Sequence, residues 1–379
     1  VPAPPETEPC LSRSLRVESV DVSWFRIPTT EPESDGSLEW DHTTLVVVEI
    51  AAGGCSGLGY TYTHEAAAVF IRSTLIPILE GAALAQHPML WHAMNRSARN
   101  VGQEGLAATA ISAVDVALWD LRCRLYGVRV VDLLGHVRAS VPIYGSGGFT
   151  SYDEAVLCRQ LGDWVDQGIT AVKMKVGRDP ATDLKRVRAA RAAIGDDAVL
   201  MVDANNAYTA KQAVFWAHRF HDEAGMAWLE QPVPDEAVSE MAFVRAHAPP
   251  AVEVTDGEYG FSSSWFVRRL EAGAADVLMP DITRCLGLTG FLKIAALCEA
   301  ACVPISSHCA PSLHATAGCL VEGLRHCEYF IDHVRIEQAV FEGAAVADAQ
   351  GHIAPDPGRA GFGLEFKRRD AECMAQAHG

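Results

Sequence analysis

No two of the eleven cysteines in this 379-residue chain form a CxxC pair, and their total is odd. That speaks against a disulfide framework and fits reduced thiols. No apolar run approaches the length needed to span a bilayer, and the start, VPAPPETEPC, lacks the basic-then-apolar order of a signal peptide. The protein is therefore expected to be soluble and cytoplasmic. Positive charge is in deficit, with 31 lysines and arginines against 48 acids. The net charge of -17 would repel nucleic acid and anionic membranes, so neither is expected as a partner. A small anionic ligand would need a local reversal of that field. What is present is an ordinary globular balance, 49% hydrophobic and 21% charged, enough for one large domain and a smaller one.

From about residue 15 to 63 the pattern is strand-like, SLRVESVDVSWFRI then TTLVVVEIAAGG, with the polar segment PTTEPESDGSLEWDH read as a long loop between them. Residues 64–135 turn helical, and EGLAATAISAVDVALWDLRCRLYG carries apolar residues at spacings of three and four before Gly127. After VPIYGSGG, short apolar strands alternate with amphipathic helices. The predicted strands are AVKMKV, AVLMVDA, MAWLEQ, AVEVTDG, ADVLMPD, VPISSH and HCEYF. Such repetition means a parallel sheet, and polar groups at every strand's C-terminal end favour a (β/α)8-type, TIM-like barrel over a doubly wound sheet. The expected organisation is an α+β capping domain over residues 1–138, a catalytic barrel over 139–345, and a segment, 346–379, that completes the capping domain.

Seven ionisable residues stand at strand ends: Lys175, Asp203, Glu230, Glu258, Asp281, His308 and Glu328, separated by 28, 27, 28, 23, 27 and 20 residues. One strand-plus-helix unit has about that length, so consecutive strands deliver one group each to the same rim. Any one acid alone could cap the helix after its strand. Three in register, Asp203, Glu230 and Glu258, would repel one another unless a hard cation lay between them, and an all-oxygen set favours Mg2+. TDGE also offers Asp256, so the residues alone leave the third acid open between Asp256 and Glu258. Lys173 and Lys175, two apart on one strand, share a face, and the second ammonium together with a nearby metal ion is expected to lower the pKa of Lys175 into the range of a base. Asp281 is expected to orient His308 as an acid/base partner. Cys298 and Cys302, at helical spacing, read as core residues rather than zinc ligands. YGSGGFTSY, placed after the first barrel strand, offers Tyr144 and Ser146 as ligand contacts.

The set VKMKVG, MVDANN, WLEQP, DGE, MPDITRCLGLTG, SSH and CEYF, with the upstream helix VALWDLRCRLYG, resembles the mandelate racemase subgroup of the enolase superfamily over almost the whole chain. The muconate-lactonizing relatives carry a lysine where this chain has Asp281, which argues against that branch. The resemblance implies that Asp203, Glu230 and Glu258 bind Mg2+ and that Lys175 and the His308/Asp281 dyad face opposite sides of a substrate. It further implies that Glu328 donates a hydrogen bond to the substrate and that Asn205 is a substrate or metal-shell contact.

The chemistry so implied is abstraction of a proton α to a carboxylate, with Mg2+, Lys173 and a protonated Glu328 stabilising the enolate. Dehydration of an acid sugar is the favoured outcome, racemisation of a 2-hydroxy acid is the alternative, and a non-catalytic binding barrel is the reading of another class. The expected partner is a small-molecule carboxylate, and a homo-oligomer is expected. The 27–42 loop and GCSGLGYTYT are the expected closing parts over the barrel mouth.

Overall fold

The computed structural model describes residues 15–376. The segment VPAPPETEPC, on which the signal-peptide reading rests, lies outside the described residues. Strands β1 (Ser19–Ser34), β2 (Glu39–Ala52) and β3 (Cys55–Tyr62) form an antiparallel meander. The run LVVV in β2 shows no polar alternation because both faces of the sheet are covered. Val46, Val48 and Ile50 pack with the helical layer, and Leu45 and Val47 join the larger core. The helix Leu106–Tyr126 lies against this sheet and ends at Gly127, whose φ of 66° supplies the left-handed C-terminal turn.

The segment PTTEPESDGSLEWDH is not a long loop. β1 and β2 continue through it, pairing Glu33 with Trp40 and Ser34 with Glu39 after a bulge. Only residues 35–38 turn, held by Asp35 Oδ1, which accepts from the backbone N–H groups of Ser37 (2.6 Å) and Leu38 (2.7 Å). The turn presses onto the barrel: a Cβ at Gly36 would stand 2.2 Å from the Ala204 carbonyl oxygen.

The barrel strands are β4 (Val141–Ser146), β5 (Ala171–Lys175), β6 (Val199–Asp203), β7 (Met226–Glu230), β8 (Glu253–Asp256), β9 (Val277–Leu278) and β10 (Cys327–Phe330). All pair in parallel in the order β10-β4-β5-β6-β7-β8-β9. The ring closes through Ile305, bridged to Leu278 on one side and Leu324 on the other. The chain therefore forms a (β/α)8-type barrel. ADVLMPD and VPISSH contribute less ladder than their apolar runs suggest, because Pro280 and Pro304 have no N–H to give. In β5, Val172 and Met174 join the core shared with the outer helices while Lys173 and Lys175 point inward.

After β10 the helix Ile331–Val340 follows directly. His352–Ile353 pairs antiparallel with Pro142 and Val141, so that part of the tail extends the barrel sheet. Further on, Phe362 N donates to Asp120 Oδ1 (2.7 Å), and Arg368 bonds Asp21 and Glu49 of the capping sheet at 2.7 and 2.6 Å. Among the described residues no helix is long and apolar enough to cross a membrane.

Candidate active site

Strand register sets the height of each group. Lys175 is level with Asp203, and Asp203 with Glu230, so adjacent strands present ammonium and carboxylates in one layer at their C-terminal ends. Beneath this layer Tyr144, Met201, Trp228 and Met279 plug the barrel interior. Above it opens a cavity of about 340 Å³, walled below by Lys175, Asn205, Glu258, Arg284, His308 and Glu328 and roofed by residues of the β1–β2 turn, β2 and the end of β3. Glu258 reaches this wall from the turn after β8, where Gly257 has a φ of 150° and a Cβ would stand 2.3 Å from Met279 N. Asp256 instead points outward to Arg269, 3.1 Å away, so Glu258 is the acid that faces the cavity.

The charges interlock. Lys173 Nζ lies 2.5 Å from Glu230, 2.8 Å from Glu328 and 3.6 Å from Asp203; Lys175 Nζ lies 2.6 Å from Asp203. His308 sits between two carboxylates, with Nδ1 2.8 Å from Asp281 and Nε2 2.9 Å from Glu258. Asp281 is fixed by Thr283, whose N–H and hydroxyl both donate to Oδ1 at 2.7 Å. Burial opposes charge on His308, yet its hydrogen bonds to the Asp281 carboxylate and the Cys309 sulfur hold its pKa well above the ordinary histidine value. Burial would raise Glu258, but the His308 hydrogen bond and charge outweigh it and hold that acid well below the usual range. Burial, with Asp203 and Glu328 nearby, pushes Glu230 up to about 8.

Burial and Lys173 press the pKa of Lys175 down, in the expected direction, while the Asp203 carboxylate, the acid that a metal ion would occupy, holds it above the ordinary lysine value. Other expectations need correction. Glu328 is not a protonated donor. Burial favours the acid form, yet Lys173, His308 and Lys175 hold it far below its ordinary pKa, and as a carboxylate it accepts from Ser146 Oγ (2.6 Å) and Cys309 N (2.8 Å). Tyr144 lies within β4 rather than after it, is fully buried under Lys173, and does not line the cavity. Cys302 is exposed rather than a core residue. Asn205 does line the cavity; its N–H donates to Asp203 Oδ1 at 2.9 Å.

The donor set fits a hard divalent cation. Asp203, Glu230 and Glu258 offer carboxylate oxygens from neighbouring strand ends, and a bound dication would favour the ionised form of Glu230, which burial otherwise opposes. Asn205 Oδ1, buried beside Asp203 and Glu258, has no hydrogen-bond partner, an orphan oxygen among oxygen donors. A tighter trio, His308, Cys309 and Glu328, has donor atoms within 4.8 Å of one another. Burial pushes the Cys309 thiol up to about 12, so it stays protonated at neutral pH and is the poorer ligand. The three carboxylates stand wider because each is drawn to a different partner: Asp203 to Lys175, Glu230 to Lys173 and Glu258 to His308.

The sequence reading misses Arg284, which lines the cavity and donates to the Glu258 carbonyl at 3.0 Å, although it stands in the quoted MPDITRCLG. It also misses His333, whose ring stacks on Tyr62 at 3.5 Å. No local signal marks that residue, because its partner comes from a strand far away in sequence.

A parallel barrel with interlocked acids and bases at its C-terminal mouth, roofed by a separate α+β domain, defines an acid–base enzyme of the (β/α)8 type. Residues 156–371 match the enolase C-terminal domain-like family, and residues 25–135 match the mandelate racemase / muconate lactonizing enzyme N-terminal domain. A 3,6-anhydro-alpha-L-galactonate cycloisomerase of Streptomyces coelicolor is 33% identical over 361 residues, 93% of this chain and 98% of that one. A mandelate racemase/muconate lactonizing enzyme-like protein from Rubrobacter xylanophilus superimposes with a TM-score of 0.92 at 47% identity, over 94% of this chain and 99% of that one. A Streptomyces coelicolor racemase crystallised with bound magnesium gives a TM-score of 0.88 at 30% identity, again over 94% and 99%. The chain belongs to the mandelate racemase/muconate lactonizing enzyme family of the enolase superfamily and is an enzyme of its lyase or isomerase kind.

Proposed function

We propose that this enzyme removes the proton α to a carboxylate, passes through an enolate, and dehydrates an acid sugar to a 2-keto-3-deoxy acid. The observation that carries the reading is the placement of two proton-transfer groups around one cavity. Lys175 and the His308/Asp281 dyad are separated by β4 and β10 on one side and by β6 to β9 on the other. Asp203, Glu230 and Glu258 would hold Mg2+, which supplies positive charge to the substrate carboxylate and takes up the Asp203 charge that otherwise favours the Lys175 ammonium. Lys173, buried between Glu230 and Glu328, adds positive charge to the cavity floor from below.

Asp281 occupies Nδ1 of His308, so Nε2 is the nitrogen that exchanges a proton with the substrate. An imidazolium there can protonate a β-hydroxyl as it leaves. Thr43, Thr44 and Thr63 on the roof support a polyol rather than an apolar side group.

A second reading, racemisation or epimerisation of a 2-hydroxy acid, has the support of the same two-sided placement, since one base can take the proton and the other return it. Incubation with Mg2+ and a panel of aldonic and aldaric acids in D2O separates the two. Dehydration yields keto acid. Deuterium at the α carbon with no keto acid from any member favours racemisation, and neither signal removes the enolisation reading in favour of a binding barrel.

A further inference from the structure

The cavity has a floor and a roof of different chemistry. Its positive groups, Lys175, Arg284 and His308, all belong to the barrel, and each is matched by barrel acids: Asp203 for Lys175, Asp281 and Glu258 for Arg284 and His308. The capping domain lines the roof with Asp35 and Leu38 from the hairpin turn, Trp40, Thr43 and Thr44 from β2, Tyr62 from β3 and Thr63 just after it. Among the described residues, no lysine, arginine or histidine of β1–β3 or their turns lines the cavity.

Asp35 is a fixed part of that roof. It is 7% exposed, its Oδ1 holds the turn, and its carbonyl accepts from Thr150 Oγ1 at 2.8 Å. Oδ1 is committed, which leaves Oδ2 as an acceptor. His333, at the edge of the roof, is a neutral donor. The Ala310 N–H donates to its Nδ1, at 3.3 Å, which puts the ring proton on Nε2. Burial holds its pKa down to about 3.

We infer that the site selects acid sugars with a single carboxylate and an uncharged, hydroxyl-bearing far end, and that Asp35 is the specificity-determining residue against a second carboxylate. The inference rests on the enolisation reading for one point only, that the reacting carboxylate lies on the cationic barrel floor. The far end of the same molecule then lies under the roof. A hydroxyl there can donate to Asp35 and accept from a threonine or His333. A carboxylate there meets Asp35 with no cation supplied by the capping domain, and the barrel cation that reaches Asp35, Lys175, is already held by Asp203, so like charges repel strongly in this partly desolvated space.

The test compares matched pairs, D-gluconate with D-glucarate and D-galactonate with galactarate, in the presence of Mg2+. Calorimetric Kd values are measured on His308→Asn for the acids it leaves unconverted and on Lys175→Ala for the others, and kcat/KM with α-deuterium exchange on the wild type. The monocarboxylate of at least one pair is expected to bind about tenfold or more tighter than its diacid partner. Asp35→Asn keeps the turn acceptor and removes the charge, and should shrink that ratio on the order of tenfold. Asp35→Ser, which also keeps an acceptor for the turn, should do the same. Diacids bound equally or more tightly, a ratio unmoved in both variants, or no binding of any of the four acids overturns the inference. Exchange from diacids and monoacids alike, with no binding preference, sinks this inference and leaves the enolisation reading standing. Preferential monoacid binding without exchange from any acid does the reverse.

Discussion

Lys175 Nζ lies 2.6 Å from Asp203 Oδ2, directly across a parallel register from β5 to β6. The contact ties the lysine proposed as a base to a carboxylate proposed as a metal ligand, so the two functions are linked: whatever takes up the Asp203 charge frees Lys175 to lose its proton.

Mg2+ affinity is therefore expected to depend on Asp203. Titration by calorimetry should show Asp203→Asn weakened more than tenfold, about 1.4 kcal/mol or more. Chelation should abolish turnover and added Mg2+ restore it. Wild-type protein with no measurable Mg2+ affinity would contradict the assignment of the three carboxylates.

Lys175→Ala and His308→Asn should each abolish turnover of at least one stereochemical series of acids, with losses of roughly 10²–10⁴ in kcat. Rates unaffected in both variants would undo the two-base arrangement. A loss of α-exchange in only one variant for a given substrate identifies the base on that substrate's proton side.

The hairpin turn is expected to act through substrate binding. A Cβ at Gly36 would stand 2.2 Å from the Ala204 carbonyl and 2.7 Å from that of Val176, both backbone atoms that cannot swing aside. Gly36→Val should therefore lift the turn off the barrel and raise KM by about tenfold or more, while Mg2+ affinity stays as in the wild type. An unchanged KM would show that the turn takes no part in closing the cavity.

Glu337 provides a pH test of stability away from the proton-transfer groups. It accepts from Tyr60 (2.8 Å), Tyr62 (3.2 Å) and Ser312 N (2.9 Å), and burial pushes its pKa up to about 7. The folded state thus holds the proton more tightly than the unfolded chain. Its stabilising contribution is full below the unfolded value of about 4.5 and is lost as pH rises through 7, for a change of roughly 3 kcal/mol. Denaturant unfolding from pH 4.5 to 8 should show a decline in the wild type that is reduced in Glu337→Gln. Parallel curves would show that Glu337 titrates normally.

Much of this site is legible as a linear pattern because the barrel is built from local units. Each strand-plus-helix turn returns the chain to the same rim after 20 to 28 residues, so Lys175, Asp203, Glu230, Glu258, Asp281, His308 and Glu328 could be aligned by counting. The 28–42 segment was harder. Its prolines and acids read as a loop, but the strands continue through a bulge because the turn has a barrel surface to lie on. The shortness of β9 and of the bridge at Ile305 follows from prolines visible in the sequence, although the apolar runs around them suggested more.

Strand period and unit spacing by themselves pointed to the barrel, a separate α+β domain and a shared face for Lys173 and Lys175, since those depend on residues close in the chain. Only the tertiary structure decided that Asp256 turns out to Arg269 while Glu258 turns in, and that Glu328 is a carboxylate. It likewise decided that Lys175 is held by Asp203 and that Asp35 and His333 roof the cavity. The physical reason is common to all of these: a group's charge state and ligand-facing role are set by atoms a few ångströms away, and here those atoms belong to residues distant in sequence.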